Sequence, residues 1–181
     1  MNYLQINPCS FTEMPGVCVT LFVSGCRLHC KGCQNPEGWC FNNGYKFTQS
    51  TIDQILNLLN KSYISGLCVC GGDPMEEENQ PEILNLLLQV KDKYPNKKIW
   101  CYTGYEFHEL LSIKRTSATN DLLKNLDALV VGRFEIDKRD ISPKNPFRGS
   151  TNQRILDSKS SLALSKPVAA EGFLNNVIGE E

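Results

Sequence analysis

The stretch that most constrains the fold of this chain is Val17 to Val23 (V-C-V-T-L-F-V). It is short, apolar and β-branched, and is bounded by Pro15-Gly16 and Ser24-Gly25. Such a run reads as a buried strand. Others follow at regular intervals. Residues 51–61 read as a helix with Ile52, Ile55, Leu56 and Leu59 on one face, and Ser50 with Asp53 resembles a capping box. Residues 67–70 form a second short strand, ending at Gly71-Gly72-Asp73-Pro74. Residues 81–94 read as a second helix, with Ile83, Leu84, Leu87 and Val90 as its apolar face and Pro81 in its first turn. Residues 98–102 (K-I-W-C-Y) and 127–131 (D-A-L-V-V) give a third and a fourth strand, and residues 106–113 and 119–125 two shorter helices.

Strands that alternate with helices through short loops imply right-handed βαβ units and a mostly parallel sheet. The expected class is α/β, with a partial (β/α) barrel or an open curved sheet, because an eight-fold barrel needs more strands. Each motif of chemical character follows the C-terminal end of a strand, the edge where such sheets bind ligands. A length of 181 residues suits one domain. Residues 1–157 are expected to form it. Beyond Asp140 the chain is rich in Pro, Ser, Asn, Arg and Lys, so loops should dominate there. Residues 158–181 read as a weakly structured tail that could dock a partner.

A formal net charge of −1 gives no sign of nucleic-acid or anionic-membrane binding. No apolar run reaches the roughly 20 residues of a membrane helix. The start Met1-Asn2-Tyr3-Leu4 has no signal-peptide character. The expectation is a cytoplasmic protein.

Nine cysteines are unusual for such a chain. In a reducing compartment clustered cysteines are more often metal ligands or catalytic groups than disulfides. Only Cys26, Cys30 and Cys33 sit close together, as C-x3-C-x2-C in a glycine-containing loop directly after the first strand. Structural zinc sites usually take four ligands, and so do electron-transfer clusters. Three cysteines leave one iron of a [4Fe–4S] cluster without a protein ligand, open to substrate. Two closed alternatives stand beside this, with Cys40 as a fourth ligand or His29 as a zinc ligand. His29 is expected to face outward. Cys18, Cys68, Cys70 and Cys101 lie in expected strands, where cysteine packs as a small hydrophobe.

C-x3-C-x2-C after a first strand resembles the radical S-adenosylmethionine (SAM) superfamily. That resemblance implies a [4Fe–4S] cluster on Cys26, Cys30 and Cys33, with SAM chelated at the fourth iron and cleaved by one electron to methionine and a 5′-deoxyadenosyl radical. It also makes Gly71, Gly72 and Asp73 the counterpart of a GGE-type motif that holds the methionine ammonium, with Asp in place of Glu. Many members carry an aromatic residue where this chain has Gly32, so the backbone of Gly32, Cys33 and Gln34 becomes the expected adenine contact. Hydrogen-atom abstraction needs no general base, so neither His29 nor His108 is required for chemistry.

The pattern G-C-x-x-x-C-x-G-C-x-N-P-x-x-W at residues 25–39 narrows the resemblance to the activating proteins of anaerobic ribonucleotide reductase. Gly71 to Pro74, Tyr102-Thr103-Gly104-Tyr105, Gly132-Arg133-Phe134-Glu135 and Phe147-Arg148-Gly149-Ser150-Thr151-Asn152-Gln153-Arg154 agree with it. In that family the radical takes hydrogen from a glycine of the large reductase subunit. The implied partners are that subunit and a reduced flavodoxin or ferredoxin. Activation of another glycyl-radical enzyme such as pyruvate formate-lyase, action on a pterin, and a non-catalytic zinc or electron-transfer module are the alternatives. Arg133 could face the cofactor carboxylate or a surface acid such as Glu135, and the surface pair is favoured. Residues 148–153 by themselves read as a polar turn.

Overall fold

Residues 1–112, 116–140 and 147–170 are described by a computed structural model. Among the described residues seven strands form one sheet: β1 (Asn2–Ser10), β2 (Val17–Val23), β3 (Tyr45–Lys46), β4 (Ile64–Gly71), β5 (Lys98–Tyr102), β6 (Ala128–Val131) and β7 (Arg154–Asp157). The helices are α1 (Gln49–Leu59), α2 (Gln80–Lys93), α3 (Phe107–Leu110), α4 (Thr119–Asn125) and α5 (Ser158–Leu164). The sheet order is β3-β1-β2-β4-β5-β6-β7. The four central strands β2, β4, β5 and β6 run parallel, as the alternating pattern requires. At both flanks the pairing is antiparallel, between β1 and β2, β1 and β3, and β6 and β7.

The flanking strands were not legible. β1 carries Asn, Gln and Pro (N-Y-L-Q-I-N-P-C-S), residues that are poor strand formers, and it pairs through two register irregularities. β7 and α5 lie in the part expected to be loops or a weakly structured tail. Instead α5 starts at Ser158, capped by Asp157, whose Oδ1 accepts the Ser160 N–H at 2.7 Å. Ser158 Oγ donates to Leu123 O at 2.7 Å, which ties α5 to α4. Residues 171–181 of the expected tail, and Ile113 of the expected third helix, lie outside the described residues.

Three local details differ from expectation. The N-cap of α1 is Thr48, whose N–H donates to Thr51 Oγ1 at 3.2 Å, so the box sits two residues before Ser50 and Asp53. Asp53 accepts from Gln49 Nε2 instead. On α2 the buried face is Ile83, Leu86, Leu87 and Val90, while Leu84 is only half-buried. Asp127 lies before β6, not in it. Its carboxylate accepts the Ile99 N–H and Lys91 Nζ.

Alternate residues of each parallel strand face two different layers. Val19, Leu21, Val23, Leu67, Val69, Ile99, Leu129 and Val131 pack against apolar residues of α1, α2 and α4. The opposite face carries Cys18, Cys68, Trp100, Ala128 and Val130, and only part of it is covered, by Met14, Phe147 and Ala170 from irregular chain. The helices therefore sit on one side, and the other side holds the space for a site.

Candidate cofactor site

A cavity of about 510 Å³ opens on that second face, at the C-terminal ends of the parallel strands. Phe22, Cys70, Tyr102 and Gly132 line it from the ends of β2, β4, β5 and β6. Cys26, Cys30, Cys33, Gln34, Gly71, Gly72 and Asp73 line it too, so all but one of the site residues expected from sequence come together. Gly32 is the exception. It has φ 71°, and a Cβ there would meet Ile136 at 3.0 Å.

Backbone hydrogen bonds set the path of the cysteine loop. Gly25 N donates to Gly38 O (2.8 Å), Cys26 N to Trp39 O (3.1 Å), Gly72 N to Val23 O (2.7 Å) and Asp73 N to Gly25 O (2.7 Å). Two glycines allow this close approach. A Cβ on Gly72 would sit 2.7 Å from both Gly25 O and Gly38 O. Gly71 has φ 107°, and a Cβ there would lie 2.7 Å from Val23 N. Gly72 is thus required by contact between two loops, and Gly71 by its φ and the neighbouring end of β2, whatever ligand lies beyond.

Cys33 Sγ accepts the Asn35 N–H at 3.3 Å. The main-chain N–H groups of Leu28 and His29 near Cys26, and of Phe134 near Cys30, favour the thiolate form of those two cysteines. Burial works the other way. It pushes the Cys26 thiol up to about 12, helped by the Asp73 carboxylate, and raises Cys30 as well. A cation that replaces the protons resolves this conflict in favour of thiolates. No three His, Cys, Asp or Glu side chains among the described residues are gathered tightly enough for a single ion. A cubane cluster spreads its cysteines over separate irons, so three cysteines around one cavity, with the Asn35 N–H on Cys33, fit an iron–sulfur cluster. Cys40 and His29 are both exposed and do not line the cavity. His29, at φ 45°, stacks on Trp39 with ring centroids 4.6 Å apart.

Two buried carboxylates join the loops beneath the cavity. Asp73, 1% exposed, accepts the N–H groups of Met75 and Gly104 (2.9 Å each) and the Thr103 hydroxyl at 2.9 and 3.0 Å. Burial nevertheless pushes it up to about 7, against the pull of those donors. Glu76 accepts the Arg27 N–H (2.9 Å), Arg27 Nη1 (2.7 Å) and the Tyr105 hydroxyl (2.7 Å). Arg27 also reaches Glu78 and lies 4.4 Å over the Phe41 ring. Sequence reasoning missed Arg27, Glu76, Thr103 and Tyr105 as parts of the site. A glutamate three residues after Asp73 was the available signal, but nothing in sequence named its partners.

Arg133 makes the surface pair expected of it, with a different acid: its guanidinium meets Glu109 at 3.0 and 3.1 Å, while Glu135 pairs with Lys138. The polar turn at residues 148–153 closes the far wall. Gln153 Oε1 accepts the N–H groups of Gly149 and Ser150, and its Nε2 donates to Gly132 O at 2.9 Å. Arg148 Nε donates to Asp140 at 2.8 Å, and Tyr102 Oη lies 2.8 Å from both Glu13 O and Phe147 O.

A cysteine-loop cavity at the strand ends is what an iron–sulfur protein of the α/β class presents, and residues 13–156 match the family described as a 4Fe-4S single cluster domain. Individual relatives narrow that class. The anaerobic ribonucleoside-triphosphate reductase-activating protein of Enterobacteria phage T4 is 41% identical over 155 residues, 86% of this chain and 93% of the phage protein. The protein of that name from Escherichia coli strain K12 is 40% identical over 157 residues, 86% of this chain and 97% of its own length. Its namesake from Vibrio cholerae serotype O1 gives the same figures. This chain belongs to the family of anaerobic ribonucleoside-triphosphate reductase-activating proteins. Among the described residues no helix is long and apolar enough to cross a membrane.

Proposed function

We propose that this protein is a radical SAM activase that generates the glycyl radical of an anaerobic ribonucleotide reductase. The observation that carries the reading is the cavity itself: Cys26, Cys30 and Cys33 share it with the Gly71-Gly72-Asp73 turn. In this reading Cys26, Cys30 and Cys33 hold a [4Fe–4S] cluster. The Gly71 to Asp73 turn receives the methionine ammonium of SAM. The main chain of Cys33 and Gln34 borders the adenine, while Gly32, which does not line the cavity, is left out of that contact. Cluster and SAM, when bound, supply reductive cleavage of the sulfonium and hydrogen abstraction from a glycine Cα.

This chain's own groups bind and orient. Asp73, locked to Thr103 and Gly104, presents a fixed carboxylate edge and does not swing to meet a ligand. Phe22, Phe134 and Phe147 give the cavity wall its aromatic surface. The sheet is taken as a partial barrel curved around the cofactors, with residues 1–157 as the catalytic unit. The large reductase subunit is the partner and a reduced flavodoxin or ferredoxin the electron donor, in the cytoplasm, with no role for nucleic acid or membrane.

The test is anaerobic reconstitution with iron and sulfide, reduction with dithionite, and addition of SAM. Formation of 5′-deoxyadenosine is expected, and with the reductase present a glycyl-radical signal in electron paramagnetic resonance. A reduced cluster that yields no 5′-deoxyadenosine would refute the radical reading. Cleavage with no signal on the reductase would leave another glycyl-radical enzyme as the target.

A further inference from the structure

Glu76 carries a fully buried carboxylate (0% exposed) that does not line the cavity. A buried charge is costly unless it is paired and hydrogen-bonded. Glu76 meets that condition with donors from two other loops. Arg27 supplies both its main-chain N–H and its guanidinium, and Tyr105 supplies its hydroxyl. Arg27 directly follows Cys26 and lies within the C-x3-C segment that ends at Cys30. The two Arg27 contacts therefore fix main chain and side chain of the same residue. They do so from a point 49 residues away in sequence.

We propose that Glu76 is a positioning residue for the iron–sulfur cluster: through Arg27 it fixes the segment between Cys26 and Cys30, and its buried negative charge, partly offset by that guanidinium, holds the reduction potential of the cluster down. This rests on the cluster reading above. Reduction adds an electron, so a nearby anion opposes it and a nearby cation favours it. Glu76 and Arg27 should therefore act on the potential with opposite signs.

The test compares wild-type protein with Glu76→Gln, Arg27→Gln and Tyr105→Phe after anaerobic reconstitution. It reads iron and sulfide content, the cluster midpoint potential by a redox titration followed by electron paramagnetic resonance, and the rate of iron loss to a chelator. Glu76→Gln is expected to bind the cluster with a midpoint shifted to more positive values and to lose iron several-fold faster. Arg27→Gln is expected to lose iron faster too, with the midpoint shifted to more negative values. Tyr105→Phe should move the midpoint in the Arg27→Gln direction, by less. A purely structural link would speed iron loss without shifts of opposite sign. Midpoints equal to wild type in Glu76→Gln and Arg27→Gln overturn the proposal. Should Glu76→Gln not fold, an unchanged midpoint in Arg27→Gln overturns it alone. If wild-type protein takes up no cluster on its three cysteines, the proposed function itself fails, and the inference falls with it before any variant is compared.

Discussion

The two faces of the central sheet are built from the same four parallel strands, read at alternate residues, and they are held by different means. On the helix face, Leu21, Leu67, Val69, Ile99 and Leu129 meet Ile52, Ile55, Ile83, Leu86 and Leu122, an aliphatic layer with exposures near zero. On the cavity face, Cys18, Cys68 and Trp100 meet Met14 and Phe147, and beyond them the wall is polar and made of loops. Dispersion and burial hold the first face. Hydrogen bonds to Asp73, Glu76 and Gln153 hold the second. Stability and chemistry are therefore largely separable in this fold, since substitutions on one face should leave the other intact.

The strongest test of that separation is Cys30→Ala. It is expected to abolish cluster binding and 5′-deoxyadenosine formation, while the unloaded protein keeps its thermal stability to within about 1 kcal/mol. Iron analysis and thermal unfolding check both halves. Cys40→Ala should leave iron content unchanged, because Cys40 does not line the cavity. Leu86→Ala makes the converse case. It is expected to cost about 2–5 kcal/mol by denaturant unfolding, and the cluster that forms at low temperature should have an unaltered midpoint.

Gly72→Ala sits where the separation should break, because its Cβ would press on Gly25 O and Gly38 O at 2.7 Å. About 1–3 kcal/mol of destabilisation is expected, together with impaired cluster uptake, and a variant with normal uptake would contradict the loop-contact account of this glycine. Asp127 tests the helix side by pH. Burial acts to raise it, but Lys91, the Ile99 N–H and Lys159 outweigh that and leave it below its usual 3.8. Its contribution is therefore present above about 3.8 and lost as pH falls through the lowered value. Asp127→Asn should be less stable than wild type by about 1–2 kcal/mol near neutral pH, with the gap closing in acid. Lys138→Ala, which removes an exposed pair with Glu135, should change stability by less than about 0.5 kcal/mol.

The helix face was largely legible from sequence. β2, β5 and α4 fall at their expected bounds, and the buried apolar residues of α1 are those its periodicity names, with Thr51 buried beside them. Such elements are written in local pattern, period two for strands and near 3.6 for helices. On α2 the helix period placed Ile83, Leu87 and Val90 in the core, but the choice between Leu84 and Leu86 depended on where the neighbouring layer lay. β1 and β7 escaped because antiparallel flanking strands can be polar and short, with partners supplying what their propensity lacks.

Sequence alone was enough for the alternation of the central parallel strands with their helices, for the cysteine loop after β2, the first strand of that set, and for the glycine turn after β4, the next. Spacing along the chain was enough for those, since each is a local property. The tertiary structure was needed to show which face the cavity occupies, that Gly72 serves loop-to-loop contact, and that Asp73 and Glu76 join three loops at the site. Arg27 and Glu76 are 49 residues apart, Asp73 and Thr103 are 30 apart, and Tyr102 and Phe147 are 45 apart. Contacts at such separations have no period and no fixed spacing, so they exist as information only once the sheet has brought the loop ends to one edge.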